Sequence, residues 1–318
     1  MKIMVTGGAG FIGSHVTDRY IAAGHQVVVV DNLTTGKMAN LNPKVRFYQS
    51  DIRDPGMEEI FGNEKPDVVN HHAAQIDVRK SVQDPVFDAG VNILGMLNLL
   101  EKAIRHGVKR FIFASSGGAM YGDQPENAAP ADEETPLRPI SPYGVAKATG
   151  ELYLHYYKIV HGLDYVALRY GNVYGPRQDP FGEAGVVAIF TEKLLADGQP
   201  VINGDGLQTR DYVYVEDVAA ANLLALHPGA SGSFNIGTGL EKNVNELFRG
   251  LLQNMGKSAS EVHGPAKPGE QRRSVLNDTR AQTDLGWQAK VSFEEGLRRT
   301  VEYFKKNSPP SAQRTPAF

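Results

Sequence analysis

The sequence predicts an α/β fold in which a doubly wound parallel sheet is followed by a smaller C-terminal lobe. From the N-terminus to about residue 175, short apolar segments alternate with amphipathic helical segments, as in sheets whose parallel strands are joined by helices. Clusters of polar residues follow the predicted strands, and such sheets bind ligands at the carboxyl ends of their strands. We therefore expect a binding site along that edge.

The composition is ordinary for a globular protein with a full core. The 318 residues include 41% hydrophobic and 22% charged residues, and the formal net charge is -3. Because the chain has no long basic run, neither nucleic acid nor an anionic membrane is expected as its main partner. Cysteine is absent, which excludes a thiol nucleophile and Cys-ligated zinc and favours a cytoplasmic location. No apolar run approaches the roughly 18 residues that span a bilayer.

The first predicted elements form a dinucleotide-binding fingerprint. A strand at residues 2–5 leads directly into Thr6-Gly-Gly-Ala-Gly-Phe-Ile-Gly13, and a helical pattern covers residues 14–23. The next strand, at residues 26–30, ends at Asp31. A strand, a glycine turn, a helix, a second strand and an acid in this order are far more specific than a glycine pattern alone.

Each glycine of the fingerprint has a separate physical role. Gly7 allows the tight turn, Gly10 lets the backbone approach a pyrophosphate, and Gly13 lets the helix pack closely on the strand. The pyrophosphate would bind at the helix N-terminus, where free N–H groups and the helix dipole favour anions. Asp31 is placed to bind both ribose hydroxyls and would repel a 2′-phosphate. The sequence therefore predicts a Rossmann-type domain that binds NAD rather than NADP.

Strands and helices continue to alternate beyond Asp31. The predicted elements are strands at 45–49, 67–70, 110–114 and 165–169 and an amphipathic helix at 92–106. His71 and His72 follow the second of these strands, but adjacent strand residues point to opposite faces and cannot readily chelate one ion. We interpret them as strand-end histidines near the cofactor and predict no metal site.

After residue 175 the segments become shorter and less regular. They are a helix at 184–196, a hairpin-like turn at 201–206, a strand at 210–217 that leads into a helix through 226, a strand at 233–236, helices at 244–255 and 293–305, and a loop at 265–273. We predict a Rossmann domain at 1–175 to which 210–227 returns, a substrate-binding lobe at 176–306, and a disordered tail at 307–318.

Three side chains predict the chemistry of the site. Tyr143 and Lys147 are four residues apart and share a helix face, where the lysine ammonium favours the phenolate of the tyrosine. Tyr143 can then act as a general base toward an alcohol. Ser116 ends the strand before this helix, so the sheet would bring its hydroxyl to the same edge. The spacing alone is a weak signal, and the upstream fingerprint is what favours a catalytic Ser116, Tyr143 and Lys147.

Several motifs are distributed from Met1 to about Lys305. They are Thr6-Gly-Gly-Ala-Gly-Phe-Ile-Gly-Ser14, Ser115-Ser116, Tyr143-x-x-x-Lys147, Arg169-Tyr-Gly-Asn-Val-Tyr-Gly-Pro-Arg177, Arg210-Asp-Tyr212 and Lys267-Pro-Gly-Glu270. Together they resemble the extended short-chain dehydrogenase/reductase superfamily, and within it the UDP-glucose 4-epimerases of the NAD-dependent epimerase/dehydratase family. The stretch at 168–190 looks particularly like the bacterial epimerases.

The resemblance implies an isomerase with tightly bound NAD that inverts C4 of a UDP-hexose through a transient 4-keto intermediate. It implies an NAD site formed by Gly7, Gly10, Phe11, Ile12, Gly13, Asp31, Asn32, Asp51, Ile52, Ala73, Ala74, Asn92, Ser115, Tyr143, Lys147 and Tyr170. It also implies a UDP-sugar site formed by Ser116, Tyr143, Asn172, Arg210, Lys267, Glu270 and Ser274.

The chain departs from the family pattern at three places. The segment Ser116-Gly-Gly-Ala-Met-Tyr121 is one residue longer than usual, so the sequence leaves open which atom fills the hydroxyl position. Lys267-Pro-Gly-Glu270 replaces an Arg-Pro-Gly-Asp motif, which keeps the charges but loses a bidentate fork. Ser274 stands where some relatives have a bulky tyrosine, and a small residue there would leave room for an N-acetyl group.

Other functions remain open at this point. A nucleotide-sugar 4,6-dehydratase would need an acidic pair where this chain has Gly117-Gly118, which disfavours dehydration. A 4-keto reductase or a UDP-glucuronate decarboxylase would keep the same triplet. A non-catalytic NAD-binding sensor would not need Tyr143 or Lys147. We also expect a homodimer, because the helices at 92–106 and 144–161 carry apolar faces that could pair in a four-helix bundle, as in relatives.

Overall fold

The computed structural model describes residues 1–181, 185–267 and 270–307. Its strands are β1 (Lys2–Thr6), β2 (Gln26–Asp31), β3 (Arg46–Gln49), β4 (Val68–His71), β5 (Arg110–Ser116), β6 (Asp164–Tyr170), β7 (Asn172–Tyr174), β8 (Ile202–Asn203), β9 (Thr209–Tyr214), β10 (Gly232–Ile236), β11 (Glu241–Asn243), β12 (His263–Gly264) and β13 (Arg273–Ser274). The tail predicted to be disordered lies outside the described residues except for its first residue, which ends a helix.

The helices cover most of the connections between strands. They are α1 (Phe11–Ala22), α2 (Met57–Glu64), α3 (Val78–Gln83), α4 (Pro85–Ala89), α5 (Gly95–Arg105), α6 (Gly117–Met120), α7 (Pro142–His161), α8 (Val186–Leu195), α9 (Val215–Leu224), α10 (Val244–Met255), α11 (Thr279–Leu285) and α12 (Phe293–Asn307). A 3₁₀ turn lies at Met38–Asn40, and a π-helical turn at Gly90–Leu94 joins α4 to α5. None of the helices in these described ranges is long and apolar enough to cross a membrane.

Seven strands form the central sheet in the order β10-β6-β5-β4-β1-β2-β3, and every neighbouring pair is parallel. This arrangement confirms the predicted doubly wound fold. The strand order reverses direction between β1 and β4, and ligands of such sheets bind in the crevice at that point. The glycine turn after β1 and the polar residues after β4 therefore lie where a ligand is expected.

Helices cover both faces of the sheet because alternate strand residues point to opposite sides. On one face, Ile3 and Val5 of β1 belong to a buried cluster that includes residues of α1, α9 and α11. On the other face, Met4 packs in a second cluster with residues of α2, α5 and α7. Tyr143 and Lys147 are carried by α7 and so lie on this second side of the sheet.

A smaller sheet lies beyond the carboxyl edge and forms the predicted lobe. It has the order β11-β9-β13, and β7 also pairs with β9. A third apolar cluster, which includes residues of α8, α10 and α12, packs around these strands. One residue separates β6 of the large sheet from β7 of the small one, so the two sheets are joined directly at the edge that carries the site.

Three sequence predictions for the second half need correction. The strand predicted at 233–236 in the lobe is β10, the edge strand of the large sheet, because Phe234 and Ile236 pack into its core. The segment predicted as a hairpin-like turn contains β8, which pairs in parallel with β12. The strand predicted at 210–217 is β9, which ends at Tyr214 and belongs to the small sheet. Only the following helix, α9, returns to the large sheet, where it packs on α1. The boundary at residue 175 stays a prediction.

Candidate active site

The glycine turn after β1 has the geometry of a dinucleotide cradle. Gly7 has φ +72°, and a Cβ at this position would lie 2.6 Å from the backbone nitrogen of Ala73. A Cβ on Gly13 would clash with the carbonyl oxygen of Gly7. Gly10 precedes α1 without a side-chain cap, and the first turn of α1 has no acidic residue. The N-terminus of α1 is therefore suited to an anion, as the pyrophosphate of NAD requires.

Acidic and amide side chains meet at the ends of β2 and β3. The carboxylate of Asp31 accepts backbone N–H groups of Ala9 (3.0 Å) and Leu33 (2.8 Å), so it ties the glycine turn to the loop after β2. Asn32 donates to Asp51 at 2.9 Å. The Arg53 guanidinium, by hydrogen bonding Asp51, holds the pKa of that carboxyl well below its usual range. The residues predicted to bind the adenosine half of NAD are thus brought together.

The apolar residues predicted for the NAD site line the same edge. Phe11 and Ile12 form the first turn of α1 and are half-buried. Ile52 is buried and contacts the backbone of α5 at Gly95. Ala73 and Ala74 follow β4 directly and are also half-buried. Their role in binding NAD stays a prediction.

Three other predicted NAD residues have side chains that are engaged inside the protein. The hydroxyl of Ser115 donates to Glu151 at 2.6 Å, and the hydroxyl of Tyr170 accepts from Asn222 at 2.8 Å. Asn92 is buried and bonds to both the N–H and the C=O of Gln75. The predicted contacts of these three residues with NAD would therefore involve the main chain, and they stay predictions.

The two histidines at the end of β4 face opposite sides, as the strand geometry requires. His71 is buried, bonds through Nδ1 to the Thr6 hydroxyl at 2.7 Å, and stacks on Phe113. His72 stacks on Tyr170. Within residues 1–181, 185–267 and 270–307, no group of three or more His, Cys, Asp or Glu side chains is arranged to hold a metal ion.

The predicted catalytic triplet converges at the start of α7. Lys147 is buried, donates from Nζ to the carbonyl oxygen of Ala114 at 2.7 Å, and lies 5.7 Å from the ring centre of Tyr143. Ser116, at the end of β5, lies close enough to the Tyr143 hydroxyl to lower the pKa of that group. The Ser115 hydroxyl is bonded elsewhere. The structure therefore favours Ser116 as the residue that supplies the hydroxyl, whose identity the sequence left open.

Burial dominates the protonation of the two titratable members. Burial and, to a smaller extent, the charge of Asp88 raise the pKa of Tyr143 to about 12, although the nearby Ser116 hydroxyl lowers it. Burial lowers the pKa of Lys147 to about 8, against the charges of Asp88 and Glu151. At neutral pH the free protein therefore holds a protonated tyrosine beside a lysine cation, and forming the phenolate requires further positive charge.

The residues predicted to bind the substrate come mainly from the small sheet. Asn172 begins β7, and Ser274 of β13 is paired in register with Arg210 of β9. A Cβ on Gly118 would lie 3.5 Å from Oδ1 of Asn172 and 4.0 Å from Oγ of Ser274, so both side chains lie beside the segment after Ser116.

The remaining predicted substrate residues lie farther out. Arg210 faces Glu270 at 4.0 Å between Nη2 and Oε1. Lys267 is exposed, and its carbonyl oxygen accepts from the backbone N–H of Glu270 at 3.3 Å. Residues 268–269 of this motif lie outside the described residues. The charged groups predicted for the nucleotide thus lie near one another, and their contacts with it stay predictions.

The sequence prediction missed two buried carboxylates next to the triplet. Glu151 follows Lys147 by one helical turn, and Asp88 precedes Asn92 by one turn. Both spacings place the acid on the face that carries an already predicted residue. This spacing could have revealed both acids, because an acid one helical turn away from a buried lysine or amide is placed to pair with it.

A dinucleotide cradle that meets a Ser-Tyr-Lys triplet at one sheet edge defines a Rossmann-fold enzyme that acts on an alcohol or a carbonyl group. The comparison with known families agrees with this class. The chain belongs to the NAD dependent epimerase/dehydratase family, whose sequence model matches residues 3–237.

Characterised relatives match nearly the whole chain. The UDP-glucose 4-epimerase of Mycolicibacterium smegmatis is 45% identical over 314 residues, which cover 97% of this chain and 100% of the relative. The crystal structure of UDP-glucose 4-epimerase from Thermotoga maritima with UDP-glucose is 53% identical, has a TM-score of 0.94, and covers 96% of this chain and 99% of its own. The Thermus thermophilus UDP-glucose 4-epimerase complex with NAD is 48% identical, with a TM-score of 0.92 and coverage of 96% and 100%.

Proposed function

We propose that this protein is an NAD-dependent epimerase that inverts C4 of a UDP-hexose. The observation that carries the proposal is that Ser116, Tyr143 and Lys147 come together at the edge where the glycine cradle opens. The near full-length similarity to UDP-glucose 4-epimerases supports both the reaction and the substrate class.

The reaction removes the proton of the C4 hydroxyl and the hydride of C4, and later returns both. When bound, NAD supplies the acceptor and later the donor of the C4 hydride, and its oxidised ring adds positive charge to the site. Tyr143, as phenolate, takes the proton of the C4 hydroxyl, and Ser116 orients the same oxygen by hydrogen bonding. Lys147 stabilises the phenolate by its charge. After the 4-keto sugar turns over in the pocket, Tyr143 returns its proton and no net oxidation results.

The geometry fits a UDP-sugar that extends from the triplet toward the small sheet. Asn172 and Arg210 would bind the phosphates, and Lys267 and Glu270 would hold the nucleoside end. Ser274 is buried and small, and Gly118, which lies beside it, carries no side chain. We infer that this space accepts an N-acetyl group on the hexose, so that both UDP-hexoses and UDP-N-acetylhexosamines are substrates.

Related reactions make different demands on the same site. A 4,6-dehydratase requires acidic side chains after the strand-end hydroxyl, and a Cβ on Gly117 would lie 2.7 Å from a methyl group of Leu276. An acid at that position would therefore have to displace the side chain of Leu276. A 4-keto reductase would need a supply of reduced cofactor, and a decarboxylase would need a uronate substrate, so each predicts a different product.

The proposal is tested by incubating the purified protein with UDP-galactose, and separately with UDP-N-acetylgalactosamine, without added cofactor. The expected products are UDP-glucose and UDP-N-acetylglucosamine, measured by chromatography. Tyr143→Phe should lose roughly 10²- to 10⁴-fold in turnover, because it lacks the general base. Absence of an epimerised product even with added NAD would contradict the proposal, as would a dehydrated or decarboxylated product.

We further propose that two copies pair through α5 and α7. The outer face of α7 exposes several large apolar side chains, which supports a four-helix bundle. The predicted cytoplasmic location rests on the absence of cysteine and remains a prediction.

A further inference from the structure

The first turn of α4 carries a buried carboxylate that the proposed reaction does not use. Asp88 is 1% exposed. Its Oδ1 accepts hydrogen bonds from Gln75 Nε2 at 2.9 Å and from Asn92 Nδ2 at 3.0 Å. Its Oδ2 is buried and has no hydrogen-bond partner within the described parts of the chain. A buried carboxylate with one unpaired oxygen is costly, so it calls for a nearby positive charge.

Lys147, which is itself buried, is a candidate for that charge. The helices that carry Asp88 and Lys147, α4 and α7, pack against each other. Burial raises the pKa of Asp88, and that rise is opposed first by the hydrogen bonds from Gln75 and Asn92 and then by the charge of Lys147. In return, the charge of Asp88 is the strongest influence that opposes the burial-driven fall in the pKa of Lys147.

The other titratable groups that face Lys147 cannot replace Asp88. Glu151 is bound by Arg169 through Nη2 at 2.7 Å and Nε at 3.0 Å, so its charge is already compensated. Burial lowers the pKa of His72 to about 3 and that of His71 well below its usual value, so both are neutral. Tyr143 is the remaining group, and its charge changes during the reaction.

We propose that Asp88 is a positioning residue whose buried carboxylate holds Lys147 as a cation while Tyr143 gains and loses its proton. The inference rests on the proposed function for the role of Tyr143. Lys147 must stay charged in both states of the tyrosine, yet a neutral Tyr143 leaves the ammonium without an anionic neighbour on its own helix except the compensated Glu151. A fixed negative charge on α4 supplies that neighbour throughout the cycle.

The same carboxylate also fixes the loop after β4. Through Oδ1, Asp88 holds Asn92 and Gln75, and Asn92 binds the main chain of Gln75 on both sides. Asp88→Asn can keep an oxygen in place of Oδ1, and it replaces the unpartnered Oδ2 by an uncharged amide nitrogen. Any effect of D88N on Lys147 therefore reports electrostatics rather than loss of the loop contacts.

The direct test is the titration of Lys147 in the protein without substrate. The ¹³Cε resonance of Lys147, assigned by its absence in Lys147→Arg, would be followed against pH in wild type, D88N and Asp84→Asn. Asp84 is exposed on the turn before α4, and asparagine also caps helices, so D84N removes a charge without touching the site. We expect D84N to titrate like the wild type, near pH 8, and D88N to titrate roughly one unit lower or more.

The pH dependence of turnover gives a second readout. The active form of Lys147 is the cation, which is abundant below its pKa, so D88N should lose activity at lower alkaline pH than D84N does. Equal Lys147 titrations in D88N and D84N would overturn the proposal. If no variant epimerises, the proposed function fails, and the titration still decides the role of Asp88. Should D88N not fold, the Asp88 carboxyl ¹³C resonance in wild type decides: an ionised group at pH 8 supports the proposal and a protonated one overturns it.

Discussion

At the scale of single residues, the site depends on which of two adjacent serines reaches Tyr143. Ser115 lies under α7, where its hydroxyl donates to Glu151. Ser116 ends β5 and caps α6 by accepting the N–H of Ala119 at 3.3 Å, which leaves its hydroxyl beside the tyrosine. The two neighbours therefore have different surroundings, and the role of Ser116 in the site stays a prediction.

This separation predicts opposite outcomes for two matched substitutions. Ser116→Ala should lower kcat about ten- to a hundred-fold, because it removes a hydrogen bond to a charged group of about 1.5–3 kcal/mol. Ser115→Ala should leave kcat near the wild-type value and lower thermal stability, since Glu151 loses one of its donors. Steady-state kinetics and thermal melts of both variants test this. A larger loss of kcat in S115A than in S116A would contradict the assignment.

Single residues were predictable where a local pattern defines them. The spacing of Tyr143 and Lys147 and the order of the glycines depend only on neighbours in the chain. The engagement of Asn92 with Gln75, and of Ser115 with Glu151, depends on packing between helices and strands that are distant in sequence. Sequence spacing alone does not reveal which polar side chains are bonded inside the protein by such packing.

At the scale of secondary structure, α7 is apolar on two sides. Leu154 and Tyr157 are buried against the sheet, whereas Leu152 is 71% and Ile159 is 70% exposed. A surface helix normally carries one apolar stripe toward its own core. The second stripe supports the proposed pairing of α7 with a second copy of the chain.

Charges on the outer face of α7 should therefore prevent dimer formation. The double substitution Leu152→Glu and Ile159→Glu would bury two unpaired carboxylates in the proposed interface, and this is strongly unfavourable. Sedimentation velocity should give a dimer for the wild type and a monomer for the variant. Leu240→Glu, at a leucine that is 65% exposed on the lobe, is the matched control and should remain dimeric. An unchanged sedimentation coefficient in the double variant would contradict the proposed interface.

A strand or helix could be predicted where its signal lies in the local sequence, and not where it depends on tertiary contacts. Strands buried on both faces and helices with a cap, such as α10 with its Asn243 capping box, carry their signals locally. The π-helical turn before α5 and the parallel pairing of β8 with β12 depend on tertiary contacts. β10 was predicted as a strand but assigned to the lobe, because the sequence of a strand does not show which strand it pairs with.

At the scale of the whole molecule, the two sheets bring the predicted site residues together. The large sheet and its helices carry the glycine cradle, Ser116 and Tyr143, and the small sheet carries Asn172, Arg210 and Ser274. Their direct connection from β6 to β7 brings the predicted cofactor and substrate residues to one edge. A sugar bound there would face the triplet and the cofactor groove together, as transfer from C4 and back requires.

The central claim is that the hydride removed from C4 returns to the same carbon. The most direct measurement is the conversion of UDP-[4-²H]galactose in H₂O, with mass spectrometry and NMR of the product. The account predicts UDP-glucose that retains deuterium at C4, and no deuterium at C4 when unlabelled substrate is converted in D₂O. Loss of the label to water, or incorporation of solvent deuterium at C4, would contradict it.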